Sequence, residues 1–111
     1  MAYDEKLAAR IRELVAGEQS ITEKKMFGGL AFLVGGHMAV AASGRGGMMV
    51  RVDPADSDAL VAKTNARVVE MRGREMPGWL RVDTDDVKAK RQLETWVKRG
   101  VAYARSLPPK S

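Results

Sequence analysis

Cysteine is absent from this 111-residue chain. That absence removes disulfides, thiolate metal ligands and a cysteine nucleophile together. Histidine is nearly absent as well. His37 is the sole imidazole, so a zinc or transition-metal site would need mostly carboxylates. No motif pairs His37 with a nucleophilic serine and an orienting acid. Only six aromatic residues occur, Tyr3, Phe27, Phe32, Trp79, Trp96 and Tyr103, and they form no ladder on which single-stranded bases could stack. No apolar run approaches the roughly 18 residues of a membrane span. The segment Met1 to Lys6 is polar and acidic, unlike a secretory signal. The expected compartment is therefore cytoplasmic, with no membrane partner. No catalytic constellation, metal site or cofactor motif emerges, and the expectation is a non-enzymatic protein.

What the chain does have is an ordinary globular composition, 45% hydrophobic and 30% charged, which argues against disorder. Its length suits one domain, read here as residues 1–107 with a disordered tail at 108–111. The net charge is +5, and its distribution is uneven. From Val87 onward, Lys88, Lys90, Arg91, Lys98, Arg99, Arg105 and Lys110 face one acid, Glu94. That surplus of six exceeds the charge of the whole chain, so the remainder is close to neutral.

Asp4 reads as an N-cap before Leu7, Ile11, Leu14 and Val15, the apolar stripe of an amphipathic helix that Gly17 can stop. Glu18 to Lys25 reads as a polar connector. Three apolar runs then follow, Met26 to Val34, His37 to Ala42 and Gly47 to Val52, split by Gly35-Gly36 and Ser43-Gly44-Arg45-Gly46. This is the pattern of an antiparallel meander. Gly28 and Gly29 inside the first run suggest a bulge or a close backbone approach. Asp53-Pro54-Ala55-Asp56 opens a short helix, with Asp53 capping and Pro54 at the first helical position. Val68 to Met71 and Trp79 to Val82 read as strands joined by the loop Arg72 to Gly78. Thr84 reads as the cap of a last helix, with Asp85 and Asp86 in its positive first turn. Leu93, Trp96, Val97, Val101 and Ala104 form that helix's buried stripe. Gly100 costs the helix about 1 kcal/mol relative to alanine, which suggests a close neighbour. The expected fold is α+β, a mostly antiparallel sheet of about five strands with N- and C-terminal helices packed on it, in the order α-β-β-β-α-β-β-α.

One ordered set of segments resembles a known family. Met26-Phe27-Gly28-Gly29-Leu30-Ala31-Phe32 opens the sheet and Val50-Arg51-Val52-Asp53-Pro54 closes the meander. Met71-Arg72-Gly73-Arg74-Glu75-Met76-Pro77-Gly78-Trp79 follows, then a final helix with Trp96-Val97 and Tyr103-Ala104. In this order they resemble the N-terminal domain of the TfoX/Sxy family over about residues 4 to 107. The resemblance implies an α+β domain, often dimeric. Founding members regulate competence for DNA uptake in bacteria and act with transcription factors at promoters. They carry a second, C-terminal domain, and this sequence stops where that domain would begin. The family supplies no agreed catalytic residues.

Candidate binding residues follow from charge. Lys90, Arg91, Lys98 and Arg99 on the last helix could lie along phosphates, or form a solvated helix face. Arg72 and Arg74 offer two guanidinium forks on a turn, suited to phosphate or carboxylate, with Glu75 beside them to neutralise one. Ser43 to Gly47 could cradle an anion but reads better as a hairpin turn, lacking both the P-loop and the dinucleotide fingerprint. Asp83, Asp85 and Asp86 read as helix-capping acids rather than a divalent-cation site. Most of the seven methionines read as adaptable core filler, and any left exposed on the sheet would mark a contact surface. The expected function is a homodimeric interaction module that contacts DNA or a transcription-associated partner. The alternative is a small-molecule-binding domain, or an enzyme of unassigned reaction, with a pocket between sheet and helix near Arg51, Arg72 and Glu75.

Overall fold

The computed structural model describes residues 3–26 and 28–108. Asp4 caps the first helix, α1 (Glu5–Leu14), its Oδ1 accepting from the backbone N–H of Lys6 and Leu7 at 3.0 and 3.1 Å. Leu7, Ala8 and Ile11 bury the helix's inner face. Six strands follow: β1 (Ile21–Met26), β2 (Gly29–Val34), β3 (His37–Ala42), β4 (Met48–Arg51), β5 (Arg67–Met71) and β6 (Arg74–Val82). A 3-10 turn at Pro54–Asp56 leads into α2 (Ser57–Lys63) between β4 and β5, and α3 (Lys90–Ser106) closes the chain. The strands form one antiparallel sheet in the order β1-β2-β3-β4-β6-β5.

The α+β architecture is as expected, with one strand more than the five anticipated. The extra strand is β1, which the sequence presents as a polar connector. Its residues Thr22 to Lys25 are exposed, so it has no apolar alternation to betray it. It is held mainly by backbone pairing to β2 through a hairpin, with only its end residues Ile21 and Met26 half-buried. Gly28 sits in that hairpin turn with φ of +78°. Gly29 begins β2, and a Cβ there would run into the carbonyl oxygen of Ala42 on β3. The Phe27 position of the expected first strand lies outside the described residues, as do Pro109 to Ser111 of the expected tail.

All three helices pack on one face of the sheet. That core joins Leu7 and Ile11 of α1 and the Val15 that caps it to Leu30, Phe32, Val40, Val50, Leu80 and Val82 of the strands and to Leu93, Trp96, Val97, Val101 and Ala104 of α3. The stripe expected for the last helix is thus the stripe it buries. Gly100 lets α3 approach β3 so closely that a Cβ would collide with the Ala39 carbonyl. Thr84, however, does not cap α3. It starts a separate 3-10 turn, Thr84–Val87, which buries Val87 completely. Arg10 of α1 donates to the carbonyls of Val87 and Lys88 at 3.0 and 2.9 Å. Those carbonyls are therefore engaged outside any helix, and α3 restarts two residues later.

The opposite face of the sheet carries a smaller cluster of strand residues only. Ala31, Met38 and Ala41 are buried, with Met26, Leu33, Met49 and Trp79 partly buried around them. Directly opposed residues trace one row across all six strands: Lys24, Ala31, Ala41, Met49, Arg81 and Arg67. Residues paired this way share a face. Among the described residues, no helix contributes to this cluster.

Candidate functional site

On α3, positions 91, 95, 98, 102 and 105 recur at spacings of four and three, and all five are exposed. This is the outer stripe of the helix. Arg91, Lys98 and Arg105 fall on it at seven-residue intervals, about 10.5 Å apart along the axis. Lys90 is exposed at the helix start, and Arg99 lies half-buried beside the stripe with its guanidinium 4.6 Å from the centroid of the Trp96 ring. Stacking of this kind holds a cation without neutralising it.

Ion pairs consume part of the charge surplus. Lys98 Nζ lies 3.5 Å from Glu94 Oε1, Lys88 Nζ 3.1 Å from Asp85 Oδ1, and Arg105 Nη2 2.7 Å from Glu18 Oε1. Lys90, Arg91 and Arg99 have no carboxylate partner among the described residues. Of the three aspartates near the helix start, Asp85 pairs locally with Lys88 and the other two tie to distant segments, none of them capping α3. Asp83 pairs with Arg67 of β5 at 3.0 Å, and Asp86 accepts from Asn65 at 2.9 Å.

Arg72 and Arg74 lie on the other side of the molecule's strand order. α3 packs on β2, β3 and β4, whereas these arginines flank the tip of the β5–β6 hairpin, at the edge strand two places beyond β4. The structure does not bring them together with the helix cations at one site. Arg72 and Gly73 both have positive φ, +54° and +76°, the backbone of a two-residue type I′ hairpin loop. Both arginines are exposed, and neither pairs with Glu75.

The Ser43 to Gly47 segment is the β3–β4 hairpin turn, and most of its N–H groups are engaged within the fold. Arg45 N donates to Ser43 Oγ at 3.1 Å, Gly46 N to the Ser43 carbonyl at 3.1 Å, and Gly47 N to Thr84 Oγ1 at 3.1 Å. His37 Nε2 donates to the Pro108 carbonyl at 2.6 Å, tying the β2–β3 turn to the chain leaving α3. Its Nδ1 is buried with no partner.

The alternative reading places a pocket between sheet and helix near Arg51, Arg72 and Glu75. An open groove of about 340 Å³ runs between α1 and α3, lined by Leu14, Val15, Glu18, Val97, Lys98 and Val101 among others. Arg51, Arg72 and Glu75 do not line it. Arg72 and Glu75 are exposed near the hairpin tip. Arg51 stands at the end of β4, with its guanidinium 4.9 Å from the Trp79 ring centroid and 5.6 Å from that of Tyr103. Among the described residues, no three histidine, aspartate or glutamate side chains gather where they could hold a metal, and no helix is long and apolar enough to cross a membrane.

A family model described as the TfoX N-terminal domain matches residues 13–104. The chain belongs to this family. The match runs from the end of α1 to the last turn of α3, so it includes the whole six-stranded sheet and, of the basic stripe, Arg91 and Lys98. No curated protein and no solved structure gives a significant match.

One group of polar residues was not singled out from sequence. Lys24, Arg51 and Arg81 border the open face of the sheet, and only Arg51 had been named, as a pocket residue. The signal was present in the alternation Met49-Val50-Arg51 and Trp79-Leu80-Arg81. It becomes legible once register places Met49 opposite Arg81 and Arg51 opposite Trp79.

Proposed function

We propose that this TfoX N-terminal domain is a non-enzymatic cytoplasmic binding module that contacts DNA through the outer stripe of α3. The observation that supports this reading most is the charge of that helix. Lys90–Ser106 holds five cations against one acid, Glu94, and three of the cations have no carboxylate partner among the described residues. Arg91 and Lys98 would take phosphate contacts along the helix, flanked by Lys90 and Arg99. Each neutralised phosphate releases counterion, so affinity falls with salt at a slope of about −0.9 per contact. Arg72 and Arg74 would supply a second, separate phosphate contact at the hairpin tip. Such contacts position a protein on DNA without reading sequence, which suits a domain acting beside a transcription-associated partner. A homodimer would present two such helices, and linked contacts raise apparent affinity without new chemistry.

The test is binding of labelled duplex DNA, followed by anisotropy across a salt series. Arg91→Glu combined with Lys98→Glu changes two exposed side chains and leaves the buried stripe intact. The expected result is a salt slope of about −3 for the parent chain and at least a tenfold loss for the double variant at low salt. Undetectable binding at low salt, or unchanged affinity in the folded variant, would sink the proposal.

A further inference from the structure

From the sheet face that carries Met49 and Trp79, we infer a docking site for an acidic amphipathic helix of a partner protein; Tyr103 of α3 reaches the edge of this face beside Arg51. The proposed DNA contact is not needed for this inference. The centre of the face is apolar: Leu33, Met49, Trp79 and Met26 lie partly exposed over the buried Ala31, Met38 and Ala41. Its polar border is cationic. Lys24 is exposed on β1, and Arg51 and Arg81 are half-buried on β4 and β6. None of the three has a carboxylate partner among the described residues. Glu23, the acid of β1, sits opposite Phe32 and so belongs to the other face, where Arg12 of α1 holds it.

The two arginines are fixed in place. Arg51 is stacked on Trp79 and Tyr103, which orients the guanidinium without neutralising it. Arg81 donates through Nη2 to the carbonyls of Arg45 and Gly46 at 3.1 and 3.4 Å, which holds the side chain but leaves its charge uncompensated. Arg51 pairs with Trp79 and Arg81 with Met49 on adjacent strands. The two arginine backbones are therefore diagonal neighbours, but the Arg81 guanidinium reaches the β3–β4 turn and that of Arg51 reaches Trp79 and Tyr103, so the two charges stand toward opposite ends of β4. Carboxylates spread along one face of a docked helix can meet both. Apolar residues on the same helix face would cover Met49, Trp79 and Leu33. Methionine, aromatic residues and arginine are the side chains enriched at protein interfaces, while lysine is depleted, and methionine adapts to a partner's shape.

Charge decides between candidate occupants. In a symmetric dimer through this face, the same patch meets itself. It would bring Lys24, Arg51 and Arg81 of both copies together, where the neighbouring acid Asp83 is already held by Arg67. DNA would satisfy the cations but leave the Leu33, Met49 and Trp79 surface against phosphates. An acidic helix with an apolar stripe satisfies both parts.

The experiment selects from a display library of helix-biased 16-residue peptides against the whole chain, with Lys24→Glu and Arg51→Gln/Arg81→Gln variants as counter-targets. Enriched peptides should carry two or more Asp or Glu beside an apolar stripe. A synthetic copy of the leading peptide should perturb the Met26 and Met49 methyl NMR signals and spare Arg91 and Lys98. Its affinity should fall at least tenfold in both variants. Lys24→Glu alters only an exposed edge residue and keeps the test open should the double variant fold poorly. Lack of enrichment, enrichment of acid-poor peptides, or perturbation centred on α3 would each overturn the inference. So would sedimentation showing a dimer of the parent chain in which the Met49 methyl is shielded and the peptide does not compete.

Discussion

Two residues carry more structural consequence than their size suggests. Gly100 sits in the middle of α3, where alanine would favour helix by about 1 kcal/mol. A Cβ at this position, however, meets the Ala39 carbonyl and lies 2.8 Å from Val40 Cγ1. Overpacking against backbone costs roughly 1–3 kcal/mol, so Gly100→Ala should destabilise the fold by up to about 2 kcal/mol in urea unfolding. A gain in stability would mean that α3 can lift from β3 at little cost. Arg72 presents the reverse case. Its φ of +54° is a conformation that asparagine or glycine adopts more cheaply. Arg72→Asn should therefore stabilise the domain by about 0.5–1 kcal/mol while weakening any polyanion contact at the hairpin tip. Thermal melts and DNA anisotropy on the same variant read the two effects separately, and an unchanged or lowered midpoint would contradict the strain argument.

At the scale of elements, the sequence discloses what burial patterns it and hides what it does not. α3 was legible because Leu93, Trp96, Val97, Val101 and Ala104 repeat at helical spacing, and the same residues are buried. The hairpins of β2–β3 and β3–β4 were legible from their glycines. β1 was not, because its side chains point to solvent and its pairing resides in the backbone. The start of α3 was misplaced for a related reason. Arg10, 77 positions from Val87 in the chain, takes the carbonyls that would have continued a helix, and no local pattern announces such a contact. The basic stripe was visible as charge, whereas its partial neutralisation by Glu18 and Glu94 required the folded chain.

One tie between elements has a pH signature. Arg12 of α1 donates to both carboxylate oxygens of Glu23 on β1, at 2.7 and 2.9 Å. That hydrogen bond, reinforced by the positive charge, holds the Glu23 carboxyl below its ordinary value near 4.5. A carboxyl depressed in the folded state adds stability above its unfolded pKa and loses it as pH falls through the folded value. The contribution is small because both side chains are substantially solvated. Glu23→Gln should flatten the decline in stability below about pH 4.5 while changing the neutral-pH midpoint little. An acid limb identical to the parent's would show that the pair does not persist in solution.

The whole molecule is one-sided. Helices α1, α2 and α3 crowd one face of the sheet, and the other is left to methionine, leucine, tryptophan and unpaired cations. This arrangement gives two surfaces of different chemistry, a basic helix stripe and an apolar sheet face with a cationic border, which separate substitutions can address. The order of the strands adds a third property. β1 is one rim of the sheet, with an unpaired row of backbone donors and acceptors, and it carries Glu23, Lys24 and Lys25 in succession. Charges there discourage another chain from extending the sheet. The run that makes β1 look like a linker thus also guards the fold against open-ended stacking into fibres. The opposite rim, β5, has Val68 and Val69 between Arg67 and Glu70, a thinner guard and the side from which any runaway strand addition would start.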